Sequence, residues 1–317
     1  MKCKRCRQKA QVHLRQHNAA FCQACFIPFF QRQVQRAVEK EAMFTLDEPV
    51  LVAVSGGKDS LALWEVLTGL GYTTTGLHLA LGIGGYSSTS TLKTQAFAEK
   101  LGRPLITIAL GDEGLSVPVM AKFTNRPACA ACGTAKRHYF DRVAIERGFP
   151  VLATGHNLDD EAARLLGNLM RWQTRHLAKQ SPVLRATHAR FVRKVKPLFR
   201  VSEYETAVYS FLRGIDYVIE ECPNAVGATQ LVFKDALNRI EAAMPGTKLS
   251  FVQEFLRTGR PLFNETTTSA PNSCTRCGMP CFGSTCSFCS LIEEVERKQQ
   301  LLHHRDGASP PDTSQPA

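Results

Sequence analysis

The residues of this chain best suited to chemistry are its 12 cysteines. Cys3/Cys6 and Cys22/Cys25 are two Cys-x2-Cys pairs separated by the spacing that folds around a tetrahedral zinc ion. Cys274/Cys277 and Cys286/Cys289 form a second, tighter pair of knuckles. Each set offers four thiolates and leaves no open coordination position, so both read as structural and two Zn2+ are expected. Cys129, Cys132, Cys222 and Cys281 remain. Cys129-Ala-Ala-Cys132 leads into an expected helix on which Lys136 lies four residues past Cys132, so two thiolates and an amine can share one face. Cys222, in Glu220-Glu-Cys-Pro223, is compatible with the same site. Three thiolates on a [4Fe-4S] cluster would leave one iron free to hold sulfide. A redox pair, a persulfide relay and inert buried thiols are the competing readings. Cys281 is a spare thiol or an exchangeable ligand beside the second knuckles.

A second kind of chemistry is written in Ser55-Gly-Gly-Lys-Asp-Ser60, which follows the apolar run Pro49-Val-Leu-Val-Ala-Val54. A glycine-rich turn between a buried strand and a helix binds phosphate, because backbone N–H groups converge there and the helix N-terminus adds partial positive charge. The spacing is neither GxxxxGK[ST] nor GxGxxG. It resembles the SGGxDS loop of the pyrophosphatase-type (PP-loop) ATP enzymes, which split ATP between the α and β phosphates and place AMP on a substrate oxygen. Gly56 and Gly57 would let the chain approach the pyrophosphate, Ser55 and Ser60 would donate hydroxyls, Lys58 would add charge, and Asp59 would orient the loop or a Mg2+. Ligands of doubly wound sheets sit at the carboxyl ends of the strands. That places Ala53, Val54, His78, Leu79 and Gly155 around one nucleotide, with adenine against the backbone near His78 and Leu79.

Gly155-His-Asn-Leu-Asp-Asp-Glu161 follows another expected strand, with Asn157 as helix N-cap and acids in the first turn. An apolar stripe of Leu158, Ala162, Leu165, Leu166 and Leu169 would leave Asp159 or Asp160 free at the strand end. The segment GHNLDDEA is similar to a motif of tRNA thiolation enzymes in which an aspartate serves Mg2+ or acid/base work, and on that likeness Asp160 is the catalytic choice.

These groups need a scaffold. Strands over Pro49–Val54, Thr74–Ala80, Pro104–Leu110 and Pro150–Thr154 alternate with helices over Leu61–Leu70, Thr91–Leu101, Cys132–Arg147 and Leu158–Trp172, which implies an α/β doubly wound parallel sheet. A helix at about Phe29–Met43 precedes it, and helices at about Ser202–Arg213, Ala228–Ala243 and Leu249–Arg257 follow. Residues 173–196 are basic and weakly patterned, as in a surface loop suited to phosphate contacts. The expected division is a zinc module at 1–28, a catalytic domain at 29–260, a second zinc module at 270–292 followed by a helix near Leu291–Leu302, and a disordered, Pro-rich tail at 303–317. No stretch approaches a membrane span, and no apolar run follows MKCKRCRQKAQ as in a signal peptide, so the expected location is cytoplasmic. Lys and Arg number 39 against 28 Asp and Glu, a surplus of +11 that favours a polyanionic partner.

The order of features resembles the TtuA-type tRNA 2-thiouridine synthetases, close to the wobble-uridine thiolation enzymes and more distantly to the cytidine-thiolating TtcA branch. The matching parts run from Cys3 to Cys289: first knuckles, SGGKDS, LHLALGIGGYS, CxxCGxxKR at Cys129–Arg137, GHNLDDEA, EECPNA at Glu220–Ala225, and final knuckles. The resemblance implies a parallel-sheet ATP domain flanked by zinc modules. It makes Cys129, Cys132 and Cys222 ligands of a [4Fe-4S] cluster near the nucleotide, and Lys136 and Asp160 catalytic. It further implies tRNA as substrate, most often at the T-loop uridine, a separate ubiquitin-like sulfur carrier with a C-terminal thiocarboxylate, and a homodimer. Arg171–Lys194 is more basic than the resemblance leads one to expect, which bears on tRNA positioning rather than on chemistry. Two other readings compete: a lysidine-type or amidating adenylase, which has no use for the three cysteines, and a zinc-dependent RNA-binding module with a degenerate nucleotide site.

Overall fold

Cys22 ends one module and starts the next. The computed structural model describes residues 1–225, 227, 229–263 and 271–306. β1 (Val12–Leu14) and β2 (Ala19–Phe21) pair antiparallel around a turn in which Asn18 takes a left-handed conformation. Cys22 then caps α1 (Gln23–Lys40), so the helix starts before the expected Phe29 and carries Pro28 within it. Phe26, Phe30, Val34, Ala37 and Val38 recur at helical spacing, and all are buried. Through this stripe the N-terminal module shares one core with the central sheet.

The sheet grows by right-handed crossovers. β3 (Val50–Ala53), α2 (Lys58–Gly69), β4 (Thr74–Ala80), α3 (Gly84–Leu101), β5 (Leu105–Ala109), α4 (Val117–Phe123), α5 (Ala128–Glu146), β6 (Val151–Thr154) and α6 (Leu158–Met170) alternate along the chain. Val50, Leu51 and Val52 are fully buried; Val50 and Val52 face one core and Leu51 the other, which is why the run reads as continuously apolar. From β3 the chain adds β4 and β5 on one side, then crosses to lay β6 on the other. The topological switch point therefore falls between β3 and β6, the two strands that lead into Ser55–Ser60 and Gly155–Glu161.

The basic segment 173–196 is a surface loop only over residues 185–192. It contains α7 (Thr174–Lys179), β7 (Val183–Leu184) and β8 (Arg193–Val195), and β8 joins β6 in parallel to extend a six-stranded sheet. Its last three cations act as internal counter-ions: Arg193 pairs with Glu48, Lys194 with Asp141 at 2.6 Å, and buried Lys196 with Glu161 at 2.8 Å, while Arg175, Lys179, Arg185 and Arg190 stay exposed. Charge masks the strand pattern, because the acids that neutralise it lie far away in the sequence.

α3 begins seven residues before the expected Thr91. Its opening serines and threonines are poor helix formers in isolation, but Thr91 and Thr94 donate to the carbonyls of Ser87 and Ser90 within the helix. α8 (Glu203–Leu212), α9 (Thr229–Ala243) and α10 (Thr247–Glu254) follow, the last continuing as a π-turn through Phe255–Gly259. Ala228, the expected start of α9, lies outside the described residues. β9 (Asn272–Ser273), β10 (Pro280–Cys281) and α11 (Ser287–Asp306) form the last module. α11 packs on α4 and α5, with Phe288 stacked on His138 at 4.2 Å. It runs past residue 303, the expected start of the tail; residues 307–317 lie outside the described residues. Among the described residues, no helix is long and apolar enough to cross a membrane.

Candidate active site

Two features force the Ser55–Ser60 turn. Gly56 has φ +77°, and a Cβ there would lie 2.9 Å from the Ser90 carbonyl. Ser60 folds its hydroxyl back, donating to the Gly57 carbonyl at 3.0 Å and accepting from Ser55 N–H at 3.1 Å. Ser90 clamps the turn from α3, donating to the Ser55 carbonyl at 2.6 Å. β6 approaches from the other side so closely that a Cβ on Gly155 would be 2.9 Å from Ser60 N. Lys58, Asp59 and Ser60 lie in the first turn of α2, where the backbone N–H groups have no intrahelical partner.

Sequence reasoning misses Ser90, though a signal exists: Ser87, Ser90, Thr91 and Thr94 fall at i, i+3, i+4 and i+7, a polar stripe facing inward. His78 is held by the same helix. Its Nδ1 is 3.0 Å from the Val54 carbonyl and its Nε2 is 2.9 Å from Thr91 Oγ1. Burial lowers its pKa; the Val54 carbonyl opposes this and Lys136 adds to it.

Two adjoining cavities open at the carboxyl ends of β3, β4 and β6. One is lined by Val54, His78, Leu79, Tyr86 and Ser90, the other by Gly57, Asp59, Ser60, Gly155 and His156. Ala53, Ser55, Lys136 and Phe140 line both, so Lys136 stands at their junction.

The acids are not free. Asn157 caps α6 in a capping box whose other member is Asp160: each backbone N–H donates to the other's side chain at 3.1 Å. The second oxygen of Asp160 pairs with Lys234 of α9 at 2.7 Å. Asp159 is buried, paired with Lys248 and accepting from Glu203 N–H at 2.8 Å. The stripe of leucines thus directs both aspartates toward cations from later helices, which local periodicity could not reveal. Burial would raise the Asp160 pKa, but Lys234 and His156 outweigh it and the carboxyl sits below its ordinary value.

Lys58 is engaged as well, with Asp59 at 3.0 Å and Glu203 at 2.7 Å. Lys234 reaches the other Glu203 oxygen at 3.2 Å, and Asn157 Nδ2 donates to Asp59 at 3.1 Å. Asp59, Lys58, Glu203, Lys234, Asp160 and Asn157 so form a closed polar ring. Nothing local marks Glu203 or Lys234 in the sequence.

Cys3, Cys6, Cys22 and Cys25, and likewise Cys274, Cys277, Cys286 and Cys289, bring all four sulfurs within 4.8 Å of one another. Backbone N–H groups point at sulfur in the second set, Cys286 N–H lying 3.2 Å from Cys274 Sγ. Such amides stabilise thiolates, and each set fits one tetrahedral zinc ion. Cys281 is outside the set, buried, its Sγ donating to the Gly283 carbonyl at 3.1 Å.

Cys129 and Cys132 stand one turn apart on α5, and Cys222 immediately precedes the short turn Pro223–Ala225, where Cys129 Sγ donates to the Asn224 carbonyl at 3.0 Å. Burial raises the Cys132 pKa; Lys136 opposes, while Cys222 and Cys129 add to the rise. Cys132 lies close enough to Cys129 and Cys222 to feel both, yet the three sulfurs do not all lie within 4.8 Å of one another. A four-iron cluster spreads its thiolates farther apart than one metal ion does, so the open trio suits a cluster better than zinc.

Known proteins resemble this chain in sequence and fold. Residues 2–27 match the family model described as the N-terminal LIM domain of the 2-thiouridine synthetase TtuA, and residues 26–226 match the PP-loop domain. A tRNA-5-methyluridine(54) 2-sulfurtransferase of Thermus thermophilus is 48% identical over 306 residues, 95% of each chain. The chain belongs to the TtuA family. Within it, the tRNA-5-methyluridine(54) 2-sulfurtransferase of Pyrococcus horikoshii is 40% identical, over 92% of this chain and 93% of that one. Among solved structures, the U34-tRNA thiolase NcsA from Methanococcus maripaludis, with its [4Fe-4S] cluster, superposes with a TM-score of 0.78. It shares 25% identity, over 92% of this chain and 96% of that one. The TtuA resemblance and the doubly wound PP-loop fold read from the sequence therefore stand.

Proposed function

We propose that this protein is an ATP-dependent tRNA sulfurtransferase that adenylates O2 of a uridine and replaces that oxygen by sulfur. The observation that carries the reading is α5: it presents Cys129 and Cys132 at one end and, one turn past Cys132, Lys136 at the junction of the two cavities. A sulfur site and a nucleotide site are thus joined by four residues of one rigid helix.

The cavity beside His78 and Leu79 would take adenine and ribose, and the Ser55–Ser60 turn the pyrophosphate, with Ser55, Lys58 and Ser60 as donors. Asp59 and Asp160 would hold Mg2+. Attack by uridine O2 on the α-phosphorus forms the O–P bond and breaks the bond to pyrophosphate. Lys136 stabilises charge developing at that phosphorus. Sulfide attack at C2 then breaks the C2–O bond, and AMP leaves with the former O2. A [4Fe-4S] cluster on Cys129, Cys132 and Cys222 would supply the sulfur from its iron that lacks a protein ligand. The eight remaining paired cysteines would bind two Zn2+. Relatives named for position 54 favour the T-loop uridine over the wobble position. A ubiquitin-like thiocarboxylated carrier as donor, a homodimer and a cytoplasmic location complete the proposal, with zinc modules at 1–28 and 270–292 around a catalytic domain at 29–260.

The test is anaerobic reconstitution with iron, sulfide, ATP and tRNA, followed by mass spectrometry of digested nucleosides. Thiolated uridine mapped to position 54 is expected, with Lys136→Met lowering the rate by roughly 100-fold or more. No thiolated nucleoside from protein carrying an intact cluster rejects the reading. Full activity after Ser replacement of Cys129, Cys132 and Cys222 would favour an adenylase instead.

A further inference from the structure

The polar ring beside the phosphate turn holds two residues that the proposed chemistry does not use, Glu203 and Lys234. Every carboxylate oxygen in it has a partner. Asp59 binds Lys58 and Asn157, Asp160 binds Lys234 and the Asn157 N–H, and Glu203 binds Lys58 through one oxygen and Lys234 through the other. The ring contains two ammonium groups and three carboxylates, one negative charge in excess. All five side chains are partly shielded, with exposures between 19% and 39%, so water screens them incompletely.

In this state Lys58, Asp59 and Asp160 are occupied by the protein itself. Lys58 must leave Glu203 to reach pyrophosphate. Lys234 must leave Asp160 before that carboxylate can face a divalent cation. The two exchanges are not independent, because Glu203 is the common acceptor. When Lys58 turns to pyrophosphate, Glu203 loses its 2.7 Å partner and draws Lys234, now 3.2 Å away, off Asp160. The withdrawal uncovers Asp160 beside Asp59. Metal binding at the two aspartates acts in reverse, releasing Lys234 to Glu203 and so loosening Lys58. Coupling of this kind is reciprocal by thermodynamic necessity.

We infer that Glu203 and Lys234 are positioning residues that couple divalent-cation binding at Asp59 and Asp160 to pyrophosphate binding at Lys58. The inference rests on the proposed reading of that turn as the ATP site. Lys234 also lies on α9, which begins seven residues after Cys222, so the same exchange acts on the helix that follows the third cysteine of the sulfur site.

Two substitutions separate this role from simple structural support, because the exchange gives them opposite signatures. Glu203→Gln removes the competitor for Lys58 and leaves Lys234 on Asp160. Lys234→Met uncovers Asp160 and leaves Glu203 to hold Lys58 alone. The full-length protein would be titrated with α,β-methylene ATP in EDTA, and separately with Mn2+ without nucleotide, followed by the electron paramagnetic resonance of free Mn2+. Glu203→Gln is expected to tighten metal-free nucleotide binding and weaken Mn2+. Lys234→Met is expected to do the reverse. Each shift should be roughly tenfold, within the range usual for coupled sites, and Lys234→Arg should restore wild-type behaviour. A wild-type protein that binds no nucleotide would overturn the ATP-site reading and this inference with it. Wild-type binding, with both variants unchanged or both shifted in one direction for both ligands, would overturn the inference alone.

Discussion

At the scale of single residues, the site depends on close approaches that leave no room for a side-chain carbon. Gly56 is the sharpest case, since it combines a left-handed φ of +77° with a Ser90 carbonyl 2.9 Å from where a Cβ would stand. Gly56→Ala must strain the turn or push α3 away. Left-handed backbone alone costs an L-residue roughly 1–2 kcal/mol, and the displaced Ser90 would lose its hydrogen bond to Ser55. The expected outcome is a melting temperature lowered by several degrees, together with nucleotide affinity reduced at least tenfold, read by calorimetry and by titration with α,β-methylene ATP. Gly85→Ala is the control, because nothing lies within 4 Å of the position its Cβ would take. Equal stability and affinity in Gly56→Ala and Gly85→Ala would contradict the close-packing account.

At the scale of elements, the parts legible in the sequence are those whose signal is local. The β3 strand, the Ser55–Ser60 turn and the Asn157 cap announce themselves by apolar runs, glycines and capping chemistry within a few residues. What stays hidden depends on partners distant in the chain. β8 reads as a basic loop because Glu48 and Asp141, which neutralise Arg193 and Lys194, come from elsewhere. Asp160 reads as available because Lys234 arrives on α9. α3 reads as too polar at its start because Ser90 faces the phosphate turn and Ser87 the Ile83 N–H rather than water. Burial of titratable groups between elements gives a testable pH dependence. His138, under Phe288 of α11, and His156, after β6, are both pushed down to about 4, chiefly by burial. Between that value and the ordinary 6.5 the unfolded chain binds more protons than the folded one, so stability rises with pH across this window. Acidification from pH 6.5 toward 4 should therefore destabilise the fold by up to about 1.4 kcal/mol per pH unit for each histidine. Urea unfolding at stepped pH measures it. His138→Phe, which cannot take up a proton, should flatten the slope by about one proton; an unchanged slope would show that His138 titrates alike in both states.

At the scale of the whole molecule, the 39 lysines and arginines serve different uses. Arg193, Lys194, Lys196, Lys234 and Lys248 are spent inside the protein on carboxylates. They cannot contribute to a polyanion footprint without unpairing an acid. Lys2, Lys4, Arg5, Arg7 and Lys9 are different: all are exposed on the N-terminal knuckles, and among the described residues none makes an ion pair. The turn around Cys3 and Cys6 holds five cations in eight residues, an arrangement suited to phosphates of a folded RNA. Replacing Lys4, Arg5, Arg7 and Lys9 by Gln should weaken tRNA binding and flatten its dependence on salt, by roughly 0.7–0.9 in log–log slope for each phosphate no longer neutralised. The fold, and the binding of zinc proposed for the knuckles, should not change, because none of the four side chains is buried. Arg193→Gln with Lys194→Gln should do the opposite, lowering thermal stability while leaving the salt slope where it was. Filter binding across a KCl series, alongside thermal melts, distinguishes the two sets. A salt slope that follows the β8 pair rather than the knuckles would place the RNA at the β7–β8 end of the sheet and remove the N-terminal module from its path.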